Sequence, residues 1–287
     1  MGNHYIPRAY LRMFANNSGG VWFHDRKTLK SHATTVENIG AEVGMYSDAV
    51  EENLNLQVEQ PTLPVFQKVL SKQALSNAER STLAKYITVM WKRVPTGRER
   101  ALKRMPSVAD EVHDNLMSEI DALIEAEPTF RVRGEEVRSK AKAYIERVKE
   151  APPAHLWYDS FNLTDEGSVE DALLSMNWVF LYSGKQQYLT SDNPVFFFEH
   201  EGIGSPLSEL TFPISSSIAL WATRHPVQNG LYVDAVGAAV KQINRRTAYN
   251  SKRFVFSKEN EPWIMPFVSK GEWVLERLLW QRPGAQR

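Results

Sequence analysis

Leu-Thr-Ser-Asp-Asn-Pro-Val-Phe-Phe-Phe, residues Leu189–Phe198, is the stretch on which the fold turns. It reads β-prone, then polar and turn-forming at Ser191–Pro194, then β-prone again from Val195. That order predicts two strand segments joined by a tight turn or bulge. Pro194 cannot donate a ladder hydrogen bond, and it biases Asn193 away from the helical region. An apolar strand, Trp178–Tyr182, comes before, broken by Ser183-Gly184. Asp192 and Asn193 are therefore expected at the mouth of a buried sheet. Two roles are open to them: a carboxylate–amide catalytic pair on a stiff turn, or an Asx-turn that caps its own backbone.

Working outward, strands are expected near 178–183, 187–190, 195–199, 210–213 and 217–223, with a late strand at Phe254–Phe256. Val21–Asp25 and Ser31–Val36 form an N-terminal hairpin that joins the sheet carrying Asp192. Between them, 51–150 reads as helical. Ser76-Asn77-Ala78-Glu79 is a capping box, opening a helix with Leu83, Tyr86, Ile87, Met90 and Val94 on one face. Val94–Gly97 kinks or ends it. Further helices are expected at Val108–Glu127, Gly134–Lys149, Val169–Met176 and Val233–Lys252, and a helix or strand at Trp273–Trp280. The whole is a single α+β domain over 1–287. Its mixed sheet comes mainly from the C-terminal half plus the N-terminal hairpin. A helical lobe at about 51–150 is inserted, and the site is expected in a cleft between lobe and sheet.

With 43% hydrophobic and 24% charged residues, the chain is an ordinary globular sequence. The absence of Cys excludes disulfides, thiolate nucleophiles and Cys-ligated zinc. No apolar run approaches the ~20 residues of a membrane helix. The N-terminus lacks the layout of a secretion signal, and Ile6 breaks the myristoylation pattern. A cytoplasmic protein without membrane contact is expected. The 34 basic and 34 acidic side chains cancel, but not locally. Lys92–Arg104 and Lys241–Lys258 are basic, whereas Asp110–Glu127 is acidic. Either the acidic helix neutralises a basic neighbour, or the basic stretches flank a phosphate backbone. For the second role Lys241, Arg245, Arg246 and Arg253 are the backbone candidates, with Asn244 beside them.

No H-E-x-x-H, P-loop, GxGxxG or G-x-S-x-G frame occurs, so no metal or other cofactor is called for. A metal-dependent nuclease would need Asp192, Glu59 and His4 to converge. His4 precedes the first helix and suits phosphate contact, general acid work or a cap. Arg93 suits a phosphate clamp or a pair with Glu59.

His4-Tyr5-Ile6-Pro7, then Tyr10-Leu11-Arg12 and Phe14, opens a series that continues through Val21–Asp25, Met45-Tyr46, Glu59 and Arg93-Val94-Pro95. It closes with Thr190–Pro194 and Asn244-Arg245-Arg246. In this order, over about residues 3–257, the chain resembles the bacterial family catalogued as domain of unknown function 4238. This chain has Val94 where the family usually carries Thr. The resemblance implies a link to antiphage defence and to excision of modified bases from phage DNA, and so a DNA glycosylase. In that reading Asp192 stabilises the sugar cation and, with Asn193, places water. His4 and Arg93 hold phosphate or leaving base. Ser191, Asn244, Tyr46, Tyr5 and Glu59 line the substrate, with Tyr10, Trp22 and Trp91 as further rings for a flipped base. A binding module without chemistry is the third alternative.

Overall fold

The computed structural model describes residues 3–162, 169–227 and 230–278. The chain forms two compact units, one made of Met1–Pro95 and Thr164–Arg287, the other of Thr96–Leu163. The helical stretch expected over 51–150 is thus divided at Thr96.

In the first unit the N-terminal part runs β1 (Asn3–His4), α1 (Arg8–Arg12), β2 (Gly20–Asp25), β3 (Lys30–Thr35) and β4 (Ala41–Glu42). It continues with α2 (Asp48–Leu54), a π turn at Asn55–Glu59, α3 (Gln60–Leu70) and α4 (Asn77–Arg93). The second unit holds α5 (Pro95–Ala126), α6 (Arg131–Glu150) and α7 (Ala154–Asp159). The chain then re-enters the first unit with α8 (Val169–Leu174), β5 (Asn177–Tyr182), β6 (Thr190–Ser191), β7 (Phe196–Phe197), β8 (Glu209–Pro213), β9 (Ile218–Thr223) and β10 (Tyr232–Asp234). It ends with α9 (Gly237–Asn250), β11 (Phe254–Ser257) and α10 (Ile264–Val268). The class is α+β, with an N-terminal hairpin and sheets drawn mainly from the C-terminal half.

Besides the antiparallel pair β1–β4, the expected single sheet is two sheets. A five-stranded one has the order β10-β5-β9-β8-β7, with β10 parallel to β5 and the other pairs antiparallel. A four-stranded one has the order β3-β2-β11-β6, so the hairpin β2–β3 does join the sheet that ends at Asp192. The two strand segments of Leu189–Phe198 do not pair with each other. β6 pairs β11 while β7 pairs β8, and Asp192–Val195 is the crossover between sheets. Asp192 and Asn193 form a bend, and a Pro-stiffened bend fits a sheet change as well as a hairpin.

β9 is buried at every position and β5 at four of six, because both faces of this sheet are covered. Val179, Leu181, Ala219 and Trp221 meet Ala239, Val240 and Ile243 of α9. On the opposite face Phe212 stacks on Tyr10 at 5.2 Å and lies 6.4 Å from Tyr86 of α4. Tyr10 also joins the sheets. Its hydroxyl donates to the Pro213 carbonyl at 2.7 Å and contacts Thr190 Oγ1 at 2.7 Å. Wholly buried, Tyr10 is core rather than a platform for a base. α4 carries the expected capping box at Ser76 and Glu79.

In the second unit α5 and α6 run antiparallel. Asp110 pairs with Lys149 at 2.7 Å and Asp121 with Arg138, so the acidic helix is answered by its successor. Pro95 is the first residue of α5, which suits its missing N–H. The helix continues past Pro106, where a break before Val108 was expected. α9 starts four residues later than expected, because Tyr232–Asp234 is a strand. Of the expected terminal element Trp273–Trp280, residues 273–277 carry no regular structure and 279–280 lie outside the described residues.

Candidate functional site

α4 ends at Arg93 because Val94 precedes a proline and takes extended backbone. This puts the guanidinium among groups from three other segments. Arg93 Nη1 donates to Glu59 Oε1 at 2.6 Å. Nη2 donates to the His4 carbonyl at 2.6 Å and to the Tyr46 hydroxyl at 2.9 Å. Tyr46 donates onward to the same carbonyl at 3.1 Å. Glu59 closes the π turn, and a wide turn of this kind re-aims the side chains that follow it. Glu51, on α2 four residues ahead of that turn, bears on the Tyr46 hydroxyl, and its Oε2 is buried with no hydrogen-bond partner among the described residues.

The charges are set by this enclosure. Burial works against the Arg93 charge, but Tyr46 and Glu59 outweigh it and hold the guanidinium more firmly protonated than usual. Burial pushes Tyr46 up to about 12, Arg93 pulling against it and Glu51 with it, so at neutral pH it stays a donor. His4 is lowered from its ordinary value by burial and by the Arg8 charge. His4 Nε2 stands 3.2 Å from Arg8 Nε, which can donate to it, and 3.4 Å from the Glu37 carbonyl, to which it donates when it carries the ring proton. The His4 strand is held in place by Gly40. Its φ of +67° suits glycine, and a Cβ there would stand 2.9 Å from Ile6 Cβ.

Asp192 is built into a different junction. Oδ1 accepts from the Lys252 N–H at 2.8 Å, and Oδ2 from those of Arg253 and Phe254 at 2.8 and 2.9 Å. The Asp192 N–H returns to the Phe254 carbonyl at 3.0 Å. This is neither a local Asx-turn nor an open catalytic carboxylate; it ties the crossover to the entry of β11. Burial raises its carboxyl to about 6, opposed by these backbone bonds and by Arg26. Asn193 and Asn250 exchange side-chain-to-carbonyl bonds at 3.0 and 2.8 Å, and Ser191 Oγ accepts from the Asn193 N–H at 3.2 Å. Tyr5 is raised by burial and then by the Asp192 charge, which puts it within electrostatic reach of that carboxylate.

The sequence-derived residues therefore fall into separate places. His4, Tyr46, Glu59 and Arg93 form one network, with Arg93 paired to Glu59 rather than held open as a phosphate clamp. Asp192, Asn193 and Ser191 form another. Asn244 is a structural tie, accepting from the Leu189 N–H at 2.9 Å and donating to the Gln187 carbonyl at 3.0 Å. Arg246 cannot meet a phosphate backbone: it is fully buried and paired with Glu209 at 2.5 Å. Arg253 is paired with Asp25 at 2.7 Å, and Arg245 Nη1 donates to Gln242. Lys241 remains exposed on the rim of a cavity of about 710 Å³. Glu51 was missed, since one acid beside Glu52 on an amphipathic helix carries no distinguishing signal.

No group of three His, Asp or Glu side chains is arranged to hold a metal among the described residues, so His4, Glu59 and Asp192 are not brought together as a nuclease centre. Nor is any described helix long and apolar enough to cross a membrane. No curated protein and no solved structure matches the chain. A family model does, over residues 3–261, and the chain belongs to the family described as Protein of unknown function (DUF4238).

Proposed function

We propose that the chain is a DNA-acting N-glycosidic hydrolase, a glycosylase that removes a modified base from phage DNA in antiviral defence. Its chemical centre is the Arg93 network rather than Asp192. The observation that carries this is the cluster in which Arg93 bonds Glu59 and the Tyr46 hydroxyl, Glu51 bears on that same hydroxyl, and one Glu51 oxygen, Oε2, is buried with no hydrogen-bond partner among the described residues. A buried acceptor left unsatisfied costs about 1–3 kcal/mol and calls for a donor or a cation from a ligand. Clustered ionisable groups with displaced pKa values mark functional sites. The DNA substrate and the defence setting rest on the family resemblance and on the exposed basic rim at Lys241.

Cleavage breaks the C1′–N bond, and its electron pair leaves with the base. Water supplies the hydroxyl that joins C1′. Positive charge on the sugar faces the Glu51 and Glu59 carboxylates, and Glu51 Oε2 takes the proton of the attacking water. Tyr46, kept protonated, donates to the leaving base and recovers its proton through Glu51. Arg93 positions these groups, and no metal is required.

Purified protein is incubated with plain DNA and with modified phage DNA, with and without EDTA. Free base is measured by mass spectrometry and strand breaks on a gel before alkali. Base release from modified DNA, intact strands and indifference to EDTA are expected. Glu51→Gln should lower release at least a hundredfold with its thermal midpoint within a few degrees of wild type. Immediate, EDTA-sensitive breaks would replace the glycosylase by a nuclease. No reaction on any DNA would leave the network as a structural staple in a binding module.

A further inference from the structure

The cavity at the start of α9 has no part in the Arg93 network. We propose that it binds a phosphorylated nucleobase, as a free nucleotide or as one unit of a single strand. At about 710 Å³ it falls within the range of small-ligand sites. Three features of its lining set the class of ligand. Lys241 and Lys270 are exposed on the rim, and neither is paired with a carboxylate among the described residues. Glu261 is the one acid of the lining, and both its oxygens are engaged, by Gln187 Nε2 at 2.5 Å and by Trp263 Nε1 at 2.7 Å. The two ammonium groups thus suit a phosphate. Trp263 and Phe267 are half-buried and pack edge to face at 5.4 Å, and Glu261 fixes the indole through that bond. Held rings with an exposed face suit a base by stacking, independent of its identity.

The third feature is Gln186. Its side-chain amide makes no hydrogen bond among the described residues, and it stands at the mouth beside Gly237. A Cβ at Gly237 would lie in ordinary contact with that amide, 3.5 Å from Oε1, so the two pack side by side. A free donor and acceptor on one planar group match the edge of a nucleobase. The first turn of α9, capped by no side chain, opens on the same space. A bare anion would leave the rings and the amide unused, and an apolar ligand would leave the lysines unused. The proposal stands whether or not the Arg93 network performs chemistry.

The test is titration calorimetry of the whole protein with inorganic phosphate, thymidine, thymidine monophosphate and a ten-residue oligo-dT. The monophosphate should bind at least tenfold more tightly than either fragment. Tighter binding of oligo-dT than of the monophosphate would assign the cavity to a strand; equal binding would assign it to the free nucleotide. Lys241→Glu with Lys270→Glu should weaken monophosphate binding tenfold or more, as should Trp263→Ala. For a strand, Lys241→Ala with Lys270→Ala should make the slope of log affinity against log salt shallower by about 0.7, from the one phosphate they hold. The lysines are exposed, so these variants stay folded even if Trp263→Ala does not. Absence of saturable binding of monophosphate and oligo-dT, binding of phosphate alone as tight as the nucleotide, or binding unchanged in the lysine variants would overturn the proposal.

Discussion

Both oxygens of Asp192 accept from backbone N–H groups some sixty residues away, so removing them strands three donors in a buried turn. At about 1–3 kcal/mol each, less whatever water recovers, Asp192→Ala should cost on the order of 3–5 kcal/mol. At about 2–4 °C per kcal/mol this is roughly a ten-degree fall in thermal midpoint; an unchanged midpoint would free Asp192 for chemistry. Glu59 offers a complementary test. Glu59→Ala leaves the Arg93 charge buried and unpaired, which should cost about 3–5 kcal/mol. Replacing both partners by apolar residues should cost less than Glu59→Ala alone, as a double-mutant cycle would show. His24 sets a pH limit. Its ring nitrogens contact Ser31 and Ser257 hydroxyls at 2.8 Å, and burial lowers it to about 4. Unfolded, it takes a proton below about 6.5. Between these values the unfolded chain binds more protons, so stability is lost as pH falls from about 6.5 to about 4, by about 3 kcal/mol in full. Asp192, raised to about 6, acts in the opposite sense over part of this window. Denaturant titrations across pH should therefore show a shallower acid loss in His24→Gln than in wild type, and parallel curves would refute the assignment.

Among the elements, the π turn Asn55–Glu59 does what a plain helix would not. It adds a residue to the winding between Glu51 and Glu59, so that both reach the groups around Arg93 and Tyr46. Deleting the exposed Gln57 should restore α winding, swing Glu59 off the guanidinium and lower the midpoint by several degrees; retention of the midpoint and of base release would show that the turn is dispensable. This device has no signature in the sequence, since a helical hydrophobic period is too coarse to reveal one extra residue. The hairpin β2–β3 and the strands β5, β8 and β9 were legible because each has its pattern over five or six residues, and the capping box of α4 because its four residues carry distinctive cap chemistry. β1, β4 and β10, two or three residues long, fall below that threshold. The split into two sheets was hidden because β6 and β7 are contiguous in sequence and find partners only in space. At the site, His4, Tyr46, Glu59 and Arg93 could be named one by one, whereas the backbone partners of Asp192 leave no trace in side-chain chemistry. Arg245, Arg246 and Arg253 read as a basic surface because the acids that answer Arg246 and Arg253, Glu209 and Asp25, lie far away in the chain.

For the whole molecule, the distribution of buried apolar groups sets where the fold opens first. The first unit concentrates them in the layers around β5, β9 and α9, where Phe180, Ala219, Leu220 and Ile243 are fully enclosed. The second unit has a thin core of Ile120, Ile145, Val148, Trp157 and Phe161, while Val112, Leu123 and Val132 stay exposed. Hydrogen exchange should therefore protect amides of β5, β8 and β9 at least a hundredfold more than those of α5 and α6; uniform protection would mean that the units unfold as one. The four-stranded sheet has a further consequence, in the time of its making. β2 is closed on its inner side by β11, and the roughly 230 residues between Asp25 and Phe254 take on the order of ten to fifty seconds to leave a ribosome at 5–20 residues per second. Throughout that interval β2–β3 is a two-stranded ribbon, marginal alone, with an unpaired edge offered to any neighbouring nascent chain. A message truncated upstream of Phe254 would make that exposure permanent, and its product should accumulate in aggregates however intact the Arg93 network's own residues are.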